Sequence, residues 1–174
     1  MVCDNTSIGI IAKDTEGRIL MIRRKNYPFG YAPPAGHCDG LSYPLACFKE
    51  FEEETGLKVV GAPKPLVLRN SKIGGPFGGC CRGGEYHHWQ IFEVDWRGEL
   101  LASDEARWLG WKSHSEIINL AQRTVDYVRK LTLAGFAEDQ RLADAIKESV
   151  EKDWQKNTGL GVTWLYIFEE LKII

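Results

Sequence analysis

The chain has 174 residues, of which 44% are hydrophobic and 26% charged. A chain of this size buries about 70% of the surface that its unfolded form exposes, and this composition excludes a disordered, collagen-like or coiled-coil protein. With 22 basic against 24 acidic side chains the net charge is −2, so no general attraction to nucleic acid or to an anionic membrane is expected.

Residues 1–5 carry no basic segment followed by an apolar run, so no signal peptide is expected. Residues 6–13 read as a strand, Asp14-Thr15-Glu16-Gly17 as a turn, and residues 18–24 as a returning strand, which together predict a hairpin. Pro28, Gly30, Pro33, Pro34 and Gly36 forbid a helix in the next segment. Residues 45–55 predict a helix, with Gly56 at the position that favours positive φ. Residues 57–60 and 66–68 suggest a long or broken strand. Residues 74–84 contain six Gly in eleven positions and read as a loop. Residues 88–96 and 107–111 read as two further strands.

From Ser113 onward the pattern turns helical. Ile117, Leu120, Val125, Val128 and Leu131 recur at helical spacing, as do Leu142, Ile146, Val150 and Trp154. Residues 162–171 form a last apolar helix that must be buried, either on the sheet or in a homodimer interface. Its apolar run, residues 162–168, is far too short to span a bilayer. Trp108, Trp111 and Trp154 are expected in the core or in helix packing. The five Cys, at positions 3, 38, 47, 80 and 81, follow no framework spacing and suggest reduced thiols in a cytosol.

The average charge hides a dense cluster, Lys49-Glu50-Phe51-Glu52-Glu53-Glu54. At about 100° per residue, Glu50, Glu53 and Glu54 share one face with the small Ala46, while Leu45, Cys47, Phe48 and Phe51 occupy an opposite arc expected to meet the core. Carboxylates spaced this way repel. A raised pKa or a hard divalent cation relieves the repulsion, and Mg²⁺ accepts such oxygen ligands while also binding phosphates. A solvated helix face is the plainer alternative. The Gly/Pro segment from Pro33 to Gly40 leads into this helix and can bring backbone carbonyls to the same face.

Residues 49–57 match the pattern R-E-U-x-E-E-x-G-U (U apolar) at every fixed position except Lys49 for Arg. Residues 34–42 resemble P-G-G-H-x-E-x-G-E-S, with Ala35 for the first Gly, one residue fewer between Asp39 and Gly40, and Leu41 for Glu. Asp104-Glu105-Ala106-Arg107-Trp108 resembles the E-A-R-W stretch that follows the sheet in the same proteins. Over residues 6–112 the sequence thus resembles the Nudix hydrolases. The resemblance implies an α/β/α sandwich with a mixed β-sheet in residues 1–112. Residues 113–174 are then a helical extension packed on it or at a dimer interface.

The same resemblance implies Mg²⁺-dependent hydrolysis of a nucleoside diphosphate linked to another moiety, with Mn²⁺ able to substitute. Glu50, Glu53, Glu54 and the Gly36 carbonyl would bind the metal, and one of the carboxylates or Glu105 would activate water. A small nucleotide-type substrate, a homodimer and a cytoplasmic location are expected. Lys49 offers a point charge where the family Arg offers a planar fork. The alternative is therefore a nucleotide-binding or regulatory module with weak or absent catalysis.

Further candidates for substrate contact are Arg23 and Arg24, which could meet phosphates, and Phe77, which could stack from a lid. His88 begins a strand whose alternate side chains meet the pocket. Cys80-Cys81 and His87-His88 invite a zinc reading, helped by Cys38 or Cys3, although adjacent Cys pairs are poor chelators.

Overall fold

The structure is a computed structural model, and it describes residues 3–25, 29–74, 82–133 and 158–174. The expected helix through Leu142, Ile146, Val150 and Trp154 lies outside these residues.

Eight strands and three helices are described. They run β1 (Thr6–Ala12), β2 (Ile19–Arg24), β3 (Tyr31–Ala32), β4 (Ala35–His37), α1 (Tyr43–Thr55), β5 (Lys58–Leu66), β6 (Lys72–Gly74), β7 (Tyr86–Arg97), β8 (Ala106–Lys112), α2 (His114–Leu133) and α3 (Val162–Glu170). One sheet has the order β4-β1-β7-β5, with β6 also on β7, and the other has the order β3-β2-β8. Strands β1 and β7 run parallel while their other pairings are antiparallel, so the larger sheet is mixed as expected.

Alternation along β1 sorts its side chains between two cores. Ile8, Ile10 and Ala12 pack with Ala46, Cys47 and Phe51 of α1. Ile11 packs on the other side with Ile117 and Leu120 of α2 and with Trp164, Ile167 and Phe168 of α3. Helices thus cover both faces. Gly9 has no side chain because the ring of Trp164 occupies the place where its Cβ would stand.

The predicted hairpin is corrected. Its two strands exist, but they lie in different sheets and touch as a ladder only at Lys13 and Ile19. The turn forms as expected, with the Asp14 carboxylate accepting from the Glu16 N–H at 3.0 Å and the Arg18 N–H at 2.9 Å. Ile19, Leu20, Met21 and Ile22 are all buried. A strand buried on both faces does best in the middle of its own sheet, between β3 and β8. The broken strand at residues 57–68 is one strand, β5, with a register shift between Val60 and Lys64.

Helix α2 keeps Ile117, Leu120 and Leu131 inward, but Val125 is exposed and Thr124 is buried in its place. At that level α2 packs on backbone rather than on side chains. Thr124 Oγ1 donates to the Leu160 carbonyl at 2.8 Å, and the Leu160 N–H donates to the Leu120 carbonyl at 3.1 Å. Apolar α3 docks on the chain's own sheets, with Trp164, Ile167 and Phe168 buried. Trp108 and Trp111 are only half-buried, the latter stacked on Trp96 at 5.0 Å. Among the described residues, no helix is long and apolar enough to cross a membrane.

Candidate active site

The site begins with the way α1 is set. Ser42 precedes the helix in extended conformation, Pro44 stands in its first turn, and Gly56 ends it at φ 72° with its N–H on the Glu52 carbonyl. The strand-to-helix connection turns at Asp39 and Gly40, with φ of 50° and 82°, and the Leu41 N–H closes on the Cys38 carbonyl at 2.9 Å. Two consecutive positive φ values make a tight reversal suited to Asp-Gly. The departures from the family pattern at residues 39–41 therefore sit in a well-formed turn, and Leu41 itself is exposed.

The expected faces of α1 are corrected. Ala46, Cys47, Phe51 and Thr55 are buried, while Leu45 and Phe48 are exposed at 57% and 38%. The buried residues span about half the helix circumference, and at about 100° per residue Glu50 and Glu54 fall between Ala46 and Cys47, inside that stripe. Two of the carboxylates are thus turned toward the sheet. Only Glu53 lies at the solvent edge, its side chain 59% exposed against 16% for Glu50.

The consequences are electrostatic. Burial pushes the Glu54 carboxyl up to about 7, and the charges of Glu50 and Glu105 add to that, against the Ala35 N–H and the Arg24 charge. The Ala35 N–H donates to Glu54 Oε2 at 2.8 Å. Burial also raises Glu50, partly offset by Lys49. Lys49 Nζ lies 3.2 Å from both Glu50 Oε1 and Glu53 Oε2, a point charge shared by two carboxylates, and does not reach Glu54. Gly36 stands directly against Glu50, since a Cβ there would overlap the carboxylate. Residues 35–36 of β4 therefore press backbone on both inward carboxylates. Two half-buried, mutually repelling carboxylates beside a side-chain-free backbone are a donor set that a hard divalent cation accepts.

The NUDIX domain profile matches residues 5–131. The chain belongs to the Nudix family. Hydrolysis is that family's chemistry, and the matched span takes in both sheets, the Nudix helix α1 and nearly all of α2. Several solved structures are similar to the Nudix domain described here. A MutT NUDIX hydrolase from Burkholderia pseudomallei is 23% identical, with 64% of this chain and 84% of that one covered and a TM-score of 0.49. The MutT protein from Methanosarcina mazei Go1 is 15% identical, with 84% and 95% covered and a TM-score of 0.49. A bifunctional NMN adenylyltransferase/ADP ribose pyrophosphatase from Francisella tularensis, complexed with AMP and a Mn ion, is 23% identical, with 68% and 37% covered and a TM-score of 0.45. No curated protein matches the chain.

Other expected site residues of this Nudix domain are only partly gathered. Arg24 and Glu105 are close enough to Glu54 for their charges to act on it. Glu105 is exposed, and its carbonyl accepts the Lys25 N–H at 2.8 Å. Arg23 turns elsewhere, with Nη2 donating to Thr158 Oγ1 at 3.4 Å. His88 is exposed, edge-on to Tyr86 at 5.5 Å, and nothing described joins it to the carboxylates. Phe77 lies outside the described residues.

The expected zinc set is also divided. Cys80 and Cys81 lie outside the described residues, Cys38 is packed in the core under α1, and His88 is exposed where its neighbour His87 is buried, as alternation along β7 requires. The Ala35 N–H on Glu54 was not foreseen. It is a backbone donor, and no side-chain pattern encodes it.

Proposed function

We propose that this Nudix domain hydrolyses a diphosphate bond in a nucleoside diphosphate linked to another moiety, with Mg²⁺ or Mn²⁺ as cofactor. The observation that carries the reading is the inward pair Glu50 and Glu54, set against Gly36 and Ala35, with the Glu54 carboxyl pushed up to about 7. Glu50, Glu53, Glu54 and the Gly36 carbonyl would hold the cation. When bound, a divalent cation supplies positive charge for diphosphate oxygens and makes water acidic enough to serve as a nucleophile.

The chain's own residues supply the rest. Lys49 Nζ, 3.2 Å from both Glu50 Oε1 and Glu53 Oε2, restrains the two side chains and offsets part of the rise that burial imposes on Glu50. Arg24, whose Nε is buried with no hydrogen-bond partner among the described residues, offers a cation to a phosphate oxygen. Glu105, exposed and within electrostatic range of Glu54, is the carboxylate free to take the proton of the attacking water. Water then bonds to phosphorus, the bridging P–O bond breaks, and two phosphate-bearing products leave. We read residues 1–112 as the catalytic part and residues 113–174 as a helical extension packed on it. Free thiols at Cys38 and Cys47 support a reducing, cytoplasmic setting. A homodimer remains part of the proposal, and light scattering of the purified chain tests it.

The test is incubation with Mg²⁺ and a panel of dNTPs, ADP-ribose, dinucleoside polyphosphates and nucleotide sugars, with products resolved by chromatography. At least one substrate class is expected to turn over, with loss of about 10²-fold or more in Glu54→Gln. Tight nucleotide binding with no turnover of any class would overturn the enzyme reading and leave a binding module.

A further inference from the structure

A second cluster of ligating side chains lies at the end of the larger sheet. Strand β1 carries it at the centre. Ser7 pairs with His37 on β4 and with Trp89 on β7, so His37 and His87 flank β1 on its two sides. Residues before β1 continue along β7, where the His88 N–H donates to the Asn5 carbonyl at 2.8 Å. Asn5 has φ 59°, and its N–H donates to Cys3 Sγ at 3.3 Å, which folds Cys3 back onto the sheet end. Gly84 leaves room for this, since a Cβ there would stand 2.7 Å from Cys3 Sγ and 2.8 Å from Asn5 Oδ1.

One ligand atom from each of Cys3, His37 and His87 lies within 4.8 Å of the others. Cys3 Sγ is 3.3 Å from His87 Nε2, and the two imidazole rings meet edge-on at 4.8 Å. Ligand atoms around a tetrahedral zinc stand about 3.3–3.6 Å apart, from bonds of about 2.0–2.3 Å. The Cys3–His87 pair already stands at that spacing, and the His37 ligand atom lies within 4.8 Å of both. The His87 ring is also held as a ligand is held, because Ser7 Oγ lies 2.6 Å from Nδ1. With that nitrogen engaged, Nε2 is the atom presented to Cys3.

An ordinary Cys–His hydrogen bond accounts for Cys3 and His87 but leaves two groups unexplained. His37 Nε2 and Asn5 Oδ1 are both buried with no hydrogen-bond partner among the described residues. Buried polar atoms of this kind are rare in native structures and point to a missing partner. We propose that Cys3, His37 and His87 bind a zinc ion, with a fourth position left to water. A thiolate and two imidazoles are borderline-soft donors that favour zinc over Mg²⁺, in contrast to the all-oxygen set on α1. The bound ion would pin the start of β1 to β4 and β7, one residue from Gly36.

The full chain, stripped with chelator and kept in excess Mg²⁺, is titrated with Zn²⁺ and separately with Co²⁺ as a spectroscopic probe. Binding of close to one zinc per chain is expected. The cobalt form should show thiolate-to-metal charge transfer and the intense d–d bands of four-coordination. Cys3→Ser should abolish the charge-transfer band, and Ser7→Ala should weaken binding by about 10–100-fold through the freed His87 ring. Glu54→Gln should leave both spectra unchanged, which separates this site from the carboxylates. If His37→Gln or His87→Gln fails to fold, Cys3→Ser still decides, because Cys3 lies outside both hydrophobic clusters. A wild-type chain without a charge-transfer band, or a band that survives Cys3→Ser, overturns the proposal. The readout is metal binding and not turnover, so it stands apart from the hydrolysis reading.

Discussion

Glu54 and Glu50 sit inside the buried stripe of α1, and this sets their behaviour. Glu54 titrates near 7 when folded against 4.5 ordinarily. Between those values the folded chain holds a proton that the unfolded chain releases, so without metal, stability falls as pH rises from about 4.5 to about 7. The shift corresponds to at most about 3 kcal/mol. Urea denaturation of the metal-free chain across that window should show the decline, and Glu54→Gln should flatten it. Mg²⁺ should restore stability above pH 7, since a ligand bound only by the folded state stabilises it. At Gly36 the missing side chain matters as much as any carboxylate. Gly36→Ala puts a Cβ into the Glu50 carboxylate, so kcat/KM should fall by about a hundredfold while the fold survives, as circular dichroism would check. The identity of these residues was legible in the spacing of residues 49–57. Their depth was not, because the apolar residues 45–48 circle the helix, and only packing on the sheet selects Ala46 beside Cys47 while leaving Leu45 and Phe48 exposed.

Among the elements, α2 begins with a device built from neighbouring residues. Ser113 and Glu116 form a capping box. The Ser113 N–H donates to Glu116 Oε2 at 2.8 Å, the Glu116 N–H donates to Ser113 Oγ at 3.3 Å, and Lys112 Nζ donates to Glu116 Oε1 at 2.7 Å. The Lys112 contact and the Ser113 N–H hold the Glu116 carboxyl down at about 2. Its stabilisation is present above the ordinary value of 4.5 and is lost as pH falls toward 2. Because the side chain is 47% exposed, screening keeps this below about 1 kcal/mol. Glu116→Gln should therefore cost a fraction of that at neutral pH and lessen the acid dependence of the thermal midpoint. The strands β1 and β2 show the reverse case. Each was legible as a strand, but their membership of separate sheets was not, because a turn at residues 14–17 permits either arrangement.

At the scale of the molecule, α3 closes the fold. Trp164 fills the space above Gly9, meets Trp89 edge-on at 5.8 Å and Phe168 at 5.6 Å, and is 4% exposed. Trp164→Ala should destabilise the chain by about 3–5 kcal/mol in urea melts, the cost of a large buried cavity. The apolar character of α3 on several faces predicts burial, and the structure buries Trp164, Ile167 and Phe168 while leaving Tyr166 53% exposed on the outer side. Whether its own sheets or a second copy would bury it was decided only by the fold. Sequence by itself determined the five longer strands and the three described helices in their order, the turn at Asp14, the end of α1 at Gly56 and the placing of Glu50, Glu53 and Glu54 on one helix, because these follow from local periodicity and backbone preference; the short strands β3, β4 and β6 carry no such pattern. Tertiary structure decided which carboxylates face inward, that Arg24 rather than Arg23 acts on Glu54, and that Cys3, His37 and His87 meet across β1. Those facts depend on strand register and on contacts between distant segments, which no local pattern contains.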